Sequence, residues 1–262
     1  MQQTHLLVCA LQTVPDAALL SEEIALEYPP KPIQQRIVGL GLLLAAIQPE
    51  GQYERYELRR LYTLGSEQGE EREILAEFWR LIDRHRPRVV TWNGRRFALP
   101  VLKQRSLLHG LAALNWHRTD PRFGYDYRYN PGWHCDLADL LTDYGASPPL
   151  SLHEAATAIG LPGQPEGDGN EPDGERAVLN IYLLYLRWAC FSTRIGARDH
   201  NASVANLLEQ LESVRETQPR LGNFLDVWQA SRQPCPLYVP EPEPEPGPQP
   251  LESHLRSEDV LP

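Results

Sequence analysis

The longest apolar run in the chain, Ile37–Ile47, limits its possible folds more than any other segment. It falls short of the roughly 18 residues that a membrane-spanning helix needs, and Gly39 and Gly41 interrupt it, so it reads as part of a strand over Arg36–Ile47. Glycines inside a strand mark close backbone approach or a bulge, not a phosphate loop. His5–Leu11 is a second apolar run, ending before a Thr-Val-Pro-Asp turn, and reads as a buried strand. Tyr53–Thr63 alternates in strand fashion, and Pro49, Glu50 and Gly51 predict a hairpin turn before it.

Helical patterns follow. Ser66 precedes an acidic first turn and a stripe of Ile74, Phe78, Leu81 and Ile82, which predicts a capped amphipathic helix ending near Pro87. Arg88–Trp92 is a short strand closed by an Asn93-Gly94 turn. Helices are expected over Phe97–Leu111, Cys135–Tyr144, Ser151–Ile159, Arg176–Ile195 and Ala202–Glu216, with a short one around Leu221–Ala230. Leu179, Leu183, Leu186 and Cys190 form a stripe of core packing. Three strands, a helix, a strand and then mostly helices make an α/β pattern with a mixed sheet.

The chain carries 25 Lys and Arg against 35 Asp and Glu, a net charge of −10 that argues against coating nucleic acid by bulk charge. Half of that excess lies beyond Gln233, where six acids face the single base Arg256. There Pro alternates with charge from Pro240 to Pro250, which predicts extended, disordered chain. Four cysteines, Cys9, Cys135, Cys190 and Cys235, have no zinc or disulfide spacing, and no secretory signal pattern opens the chain. A reduced, cytoplasmic protein without membrane attachment is expected.

Four segments carry sharper information: Cys9-Ala-Leu-Gln-Thr-Val-Pro-Asp16, Trp92-Asn-Gly-Arg-Arg-Phe-Ala-Leu-Pro-Val-Leu102, His134-Cys-Asp-Leu-Ala-Asp-Leu-Leu141 and Asp173-Gly-Glu-Arg-Ala-Val-Leu-Asn-Ile-Tyr-Leu183. In this order they resemble the motifs of predicted 3′–5′ exonucleases related to the proofreading domain of family-B DNA polymerases. The resemblance covers residues 5–197 and implies a ribonuclease-H-like (DnaQ-like) α/β domain, a mixed sheet flanked by helices, over 1–200. A helical extension over 201–232 and a disordered Pro/Glu-rich tail over 233–262 complete the expected organisation.

The family pattern has acids that hold two divalent metals at four positions, occupied here by Ala10, Gln12, Ala98 and Ala177. A pair of ions roughly 3.5–4 Å apart stabilises the attacking and leaving oxygens of a phosphodiester, and magnesium wants hard oxygen ligands that a methyl group lacks. The tyrosine that would orient the attacking water aligns with Asp173, and only the breaker-rich stretch Gln164–Gly174 stands where the family has a further helix. The expectation is therefore a degenerate exonuclease without catalytic residues, resident metal or cofactor, acting as a nucleic-acid-binding or regulatory module. Asp16, Asp136, Asp139, Asp173 and Glu175 are the carboxylates from which a relocated site would be built. In that alternative the chain is an active exonuclease on single-stranded DNA that uses Mg²⁺ or Mn²⁺. A third reading is a protein-interaction scaffold docking through the 240–260 tail.

For a binding role the expected partner is nucleic acid, as single-stranded DNA or a 3′ end. The candidate contacts are Thr13, Asn93, Arg95, Arg96 and Phe97 at the carboxyl ends of the strands, with Arg118, Arg122 and Arg128 from Trp116–Trp133. That segment interleaves rings with arginines, the pattern that stacks bases and meets phosphates. The plainer reading of the same rings is that they cover the core. His134 is read as a buried or capping residue at a helix start rather than a metal ligand.

Overall fold

The computed structural model describes residues 3–20, 30–65, 70–118, 124–163, 174–231 and 236–237. Ser66, Arg122, Asp173, the 164–173 stretch and the Pro/Glu-rich tail from 238 onward lie outside the described residues.

Five strands form one sheet: β1 (His5–Pro15), β2 (Gln35–Glu50), β3 (Tyr53–Gly65), β4 (Arg88–Thr91) and β5 (His134–Asp136), in the order β3-β2-β1-β4-β5. β2 runs antiparallel to both β1 and β3, while β4 and β5 join β1 in parallel. This is the mixed α/β sheet flanked by helices that the resemblance implied.

The apolar runs are explained by burial on both faces. Along β2, Ile37, Leu40, Leu42 and Leu44 enter one core, and Leu43, Ala45 and Ile47 enter the other. β1 divides in the same way, with Leu7 and Cys9 against Leu6 and Val8. One face is covered by α1 (Glu71–His85) and α2 (Leu99–Leu108) with the rings of Trp116 and Tyr125. Against the other face pack α6 (Gly174–Phe191), α7 (Ala197–Ser213) and α8 (Pro219–Ala230). Between them in sequence come α3 (Leu114–Arg118), α4 (Leu137–Leu141) and α5 (Leu152–Ala158). Each large core side chain buried here, such as Phe78 or Leu75, contributes about 1.5–3 kcal/mol.

Local boundaries differ from the sequence expectation for identifiable reasons. α1 begins at Glu71, where the Glu73 carboxylate accepts the Glu70 N–H at 3.3 Å, rather than at Ser66. It ends at Arg86, which turns left-handed (φ 44°) before Pro87. The helix expected over Cys135–Tyr144 is a strand followed by a short helix: β5 pairs with β4, Val89 opposite His134 and Thr91 opposite Asp136, and α4 starts only at Leu137. α5 begins as expected at Ser151, whose hydroxyl accepts the Glu154 N–H at 3.1 Å.

Two buried ion networks tie the elements together. Arg88, at the start of β4, is 2% exposed and meets Glu54 of β3 through Nη1 (2.6 Å) and Nη2 (2.9 Å). Arg105 of α2 reaches Glu71 at 2.8 and 2.5 Å, Asp16 at 2.7 Å and the Ile33 carbonyl at 2.8 Å. At the edge of β3 three outward N–H groups of its first half are taken up: Glu54 donates to the Arg194 carbonyl, Tyr56 to Ser203 Oγ at 3.0 Å and Leu58 to Asn206 Oδ1 at 2.8 Å.

Candidate functional site

The four positions that the resemblance sets against metal-binding acids fall on β1, on the turn after β4 and in the first turns of α6, a helix that packs across β1 and β4. Ala10 and Gln12 are on the second half of β1, opposite Gly41 and Gly39 of β2. The glycines were read as close approach, and the contacts explain why. A Cβ on Gly39 would lie 2.0 Å from Gln12 Oε1, and one on Gly41 would lie 2.3 Å from the carbonyl oxygen of Gly174, the first residue of α6. The Gln12 carboxamide thus fills the space between strand β2 and α6. Ala98 is buried at the end of the wide turn Gly94–Ala98 that leads into α2, and Ala177 is half-buried in the first turns of α6.

A two-metal centre does not fit this donor set, because three of the four positions offer a methyl group and the fourth a neutral amide. Among the described residues no three His, Cys, Asp or Glu side chains gather as a metal-holding group. Three of the carboxylates considered as replacements, Asp16, Asp136 and Asp139, have other partners. Asp16 is held by Arg105, and that contact keeps its carboxyl below the usual range. Asp139 forms a two-pronged pair with Arg128 (3.0 and 2.9 Å), with the Arg95 guanidinium 3.9 Å away. Asp136 Oδ2 accepts the Arg95 backbone N–H at 2.8 Å, while its Oδ1 is buried without a partner, and burial pushes its carboxyl up. Beside it His134, on β5 rather than at a helix start, is 1% exposed and meets Thr91 Oγ1 through Nε2 at 2.8 Å. Burial drives its pKa well down, so the ring is neutral.

The candidate binding residues separate into two groups. Thr13 donates to Gln35 Oε1 at 2.9 Å, Phe97 packs on the α1-side core, and Arg95 spends its guanidinium on the carbonyls of Tyr127 and His134. Arg128 is bound to Asp139 and lies over the Tyr144 ring. By contrast Asn93, Arg96 and Arg118 are exposed. Arg96 extends over Gly145 into an open cavity of about 550 Å³ that Trp92, Asn93, Asp139, Ser147 and Ser151 help to line. No hydrogen bond or ion pair engages Arg96 among the described residues. Trp92 opens the second motif but was not among the candidate contacts, and the 145–151 loop, where Gly145 turns at φ 95°, was not singled out.

The rings of the Trp116–Trp133 segment divide as well. Trp116 and Tyr125 are buried and stacked, with centroids 4.4 Å apart, and Trp133 packs edge-on against Tyr125. Tyr127 and Tyr129 remain on the surface.

Comparison with known proteins agrees with the sequence resemblance. The family model described as a predicted 3′–5′ exonuclease related to the exonuclease domain of PolB matches residues 27–172, more than half of the chain. No curated protein sequence matches. Among solved structures, the family B DNA polymerase of Pyrobaculum calidifontis is 16% identical over 70% of this chain and 25% of its own, with a TM-score of 0.41. E. coli exonuclease I in complex with a dA16 oligonucleotide is 11% identical over 76% of this chain and 43% of its own, with a TM-score of 0.42. The chain therefore spans less than half the length of these structures.

Proposed function

Because this chain belongs to the family of predicted 3′–5′ exonucleases related to the exonuclease domain of PolB, and the sequence resemblance sets Ala10, Gln12, Ala98 and Ala177 against the family's acids, we propose that it is a catalytically inactive member that holds nucleic acid. The ligand is single-stranded DNA or a 3′ end, and the protein works in the cytoplasm, where its cysteines stay reduced. The observation that carries this reading is the cavity at Arg96. An exposed guanidinium with no acceptor among the described residues stands beside the half-buried Trp92 ring at the carboxyl ends of β4 and β5. A phosphate meets such a guanidinium in a two-pronged way, and an indole face stacks on a base. Four fewer acids than the family pattern also lower the repulsion that a phosphate strand meets there. A protein partner on the acidic 240–260 segment is compatible with this role and would be lost on deleting that segment, with oligonucleotide binding kept.

The test uses a 5′-labelled single-stranded oligonucleotide with the full chain. With Mg²⁺ or Mn²⁺ no shortened products form, and binding measured by anisotropy persists in chelator. Trp92→Ala weakens it by about 1–3 kcal/mol, roughly 5- to 150-fold, and Arg96→Ala weakens it too. A metal-dependent ladder of 3′-shortened products would overturn inactivity, and binding indifferent to both substitutions would overturn the assignment of the cavity.

A further inference from the structure

At the other end of β1 from Gln12, about 23 Å away at strand spacing, β1, β3 and α1 enclose a second cavity of about 250 Å³. Its polar wall is almost entirely cationic: Arg59 and Arg60 from β3, Arg80 and Arg84 from α1, with His5 and His85 between them. Leu44 and Leu81 form an apolar floor. Glu77 is the one acid in the lining; it pairs with Arg80 and accepts the Tyr62 hydroxyl. Arg59 bonds Glu57 at 3.0 Å. Arg60 and Arg84 have no carboxylate partner among the described residues. A chain of net charge −10 thus gathers four guanidiniums around one small opening, where Glu77 and Glu57 offset two of them and a bound anion would offset the others. The two imidazoles face each other at 4.4 Å. Burial, and then Arg59 beside His5 and His5, Arg84 and Arg60 beside His85, hold both below the usual histidine pKa, so they are neutral hydrogen-bonding groups at pH 7. The lining has no Phe, Tyr or Trp ring to stack on a base, so its chemistry suits phosphate rather than a nucleobase.

We propose that this cavity is a phosphate-binding site, distinct from the Arg96 cavity, that takes the phosphates of a nucleic-acid backbone or of a free polyphosphate. Both sources present paired oxyanions that arginine forks match.

The test is calorimetric titration of the full chain with inorganic tripolyphosphate at low salt. Saturable binding is expected, weakened at least tenfold in the double variant Arg60→Ser/Arg84→Ser and partly retained in Arg60→Lys/Arg84→Lys. Both side chains are exposed, and near-ultraviolet circular dichroism checks that the fold is kept. A second arm repeats the oligonucleotide titration across salt concentrations. If the double variant lowers the slope of log affinity against log salt by about 1.4, two phosphates at roughly 0.7 each, the backbone is the source. If oligonucleotide binding is unchanged while tripolyphosphate binding falls, the source is free polyphosphate. Absence of saturable tripolyphosphate binding, or equal binding by the Ser variant, overturns the proposal. Because the first arm involves neither Arg96 nor Trp92, failure of the Arg96 cavity reading leaves its outcome intact.

Discussion

Replacing Arg105 with Met tests the reading of the buried network that joins β1, β2, α1 and α2. Arg105 is 4% exposed and Glu71 9%, and the four short hydrogen bonds from the guanidinium satisfy Glu71, Asp16 and the Ile33 carbonyl. Met keeps most of the stem volume and removes the charge. Glu71 would retain the Ile37 N–H at 2.8 Å and His109 at 2.9 Å, but its charge would be left largely uncompensated. Removing one partner of such a pair costs about 3–5 kcal/mol, a large part of the roughly 5–15 kcal/mol that holds a domain together. The pH dependence separates this mechanism from simple loss of packing. In the parent, the contact with Arg105 lowers the Asp16 pKa; for Glu71 burial alone would raise it, but the bonds from Arg105, Ile37 and His109 outweigh burial. Both acids therefore bind protons less readily when folded. Their stabilisation is complete above the unfolded value near 4 and is lost as the pH falls through the folded value. In Arg105→Met burial prevails at Glu71, its pKa rises, and the penalty seen at pH 7 is relieved as the group takes a proton. Urea unfolding should show a gap of about 3–5 kcal/mol at pH 7 that falls to less than half near pH 4.5, around the ordinary glutamate pKa. A gap under about 1 kcal/mol, or one that does not change with pH, would refute the argument.

Three further outcomes follow from the packing. Gly41→Ala forces a methyl to within 2.3 Å of the Gly174 carbonyl, so it should cost about 1–3 kcal/mol in a thermal melt, and an unchanged midpoint would contradict the contact. Trp116→Ala empties the centre of a ring cluster and removes the Nε1 hydrogen bond to Asp126. A loss of about 3–5 kcal/mol with a weakened near-ultraviolet dichroism signal is expected. Burial pushes the thiols of Cys9 and Cys135 up to about 12, so a disulfide reagent at mildly alkaline pH should leave both unmodified in the native protein and label them only after unfolding.

The parts of the fold legible in the sequence were those whose pattern repeats over many residues. β2 and β1 announced themselves because burial on both faces leaves no polar position in the run, and Gly39 and Gly41 were intelligible as contacts before the partner was known. β5 was missed because three residues, His134–Asp136, give no period to read, and the following Leu137–Leu141 drew the helical assignment back over them. At the candidate site the sequence supplied residue types but not pairings. Arg95 and Arg128 were candidate phosphate contacts with nothing nearby in sequence to show that Asp136 and Asp139 turn towards them. The alternation of rings and arginines after Trp116 did not reveal that Trp116 and Tyr125 stack inside the core. Arg96 and Arg95 are neighbours in sequence, and only the turn Gly94–Ala98 sends one guanidinium inward and the other to solvent.

The capping of β3 has a consequence for how the protein behaves in crowded solution. An outer strand with bare N–H groups is a template on which a second chain can add itself, and folded proteins survive at high concentration by denying that template. Here the denial comes from Arg194, Ser203 and Asn206, which follow β3 by more than a hundred residues and occupy the donors of Glu54, Tyr56 and Leu58. The segment after α6 therefore acts as a guard against self-association. A double variant, Ser203→Ala with Asn206→Ala, would keep α7 and α8 on the core and lose two of those acceptors, and its first fault would be self-association through β3.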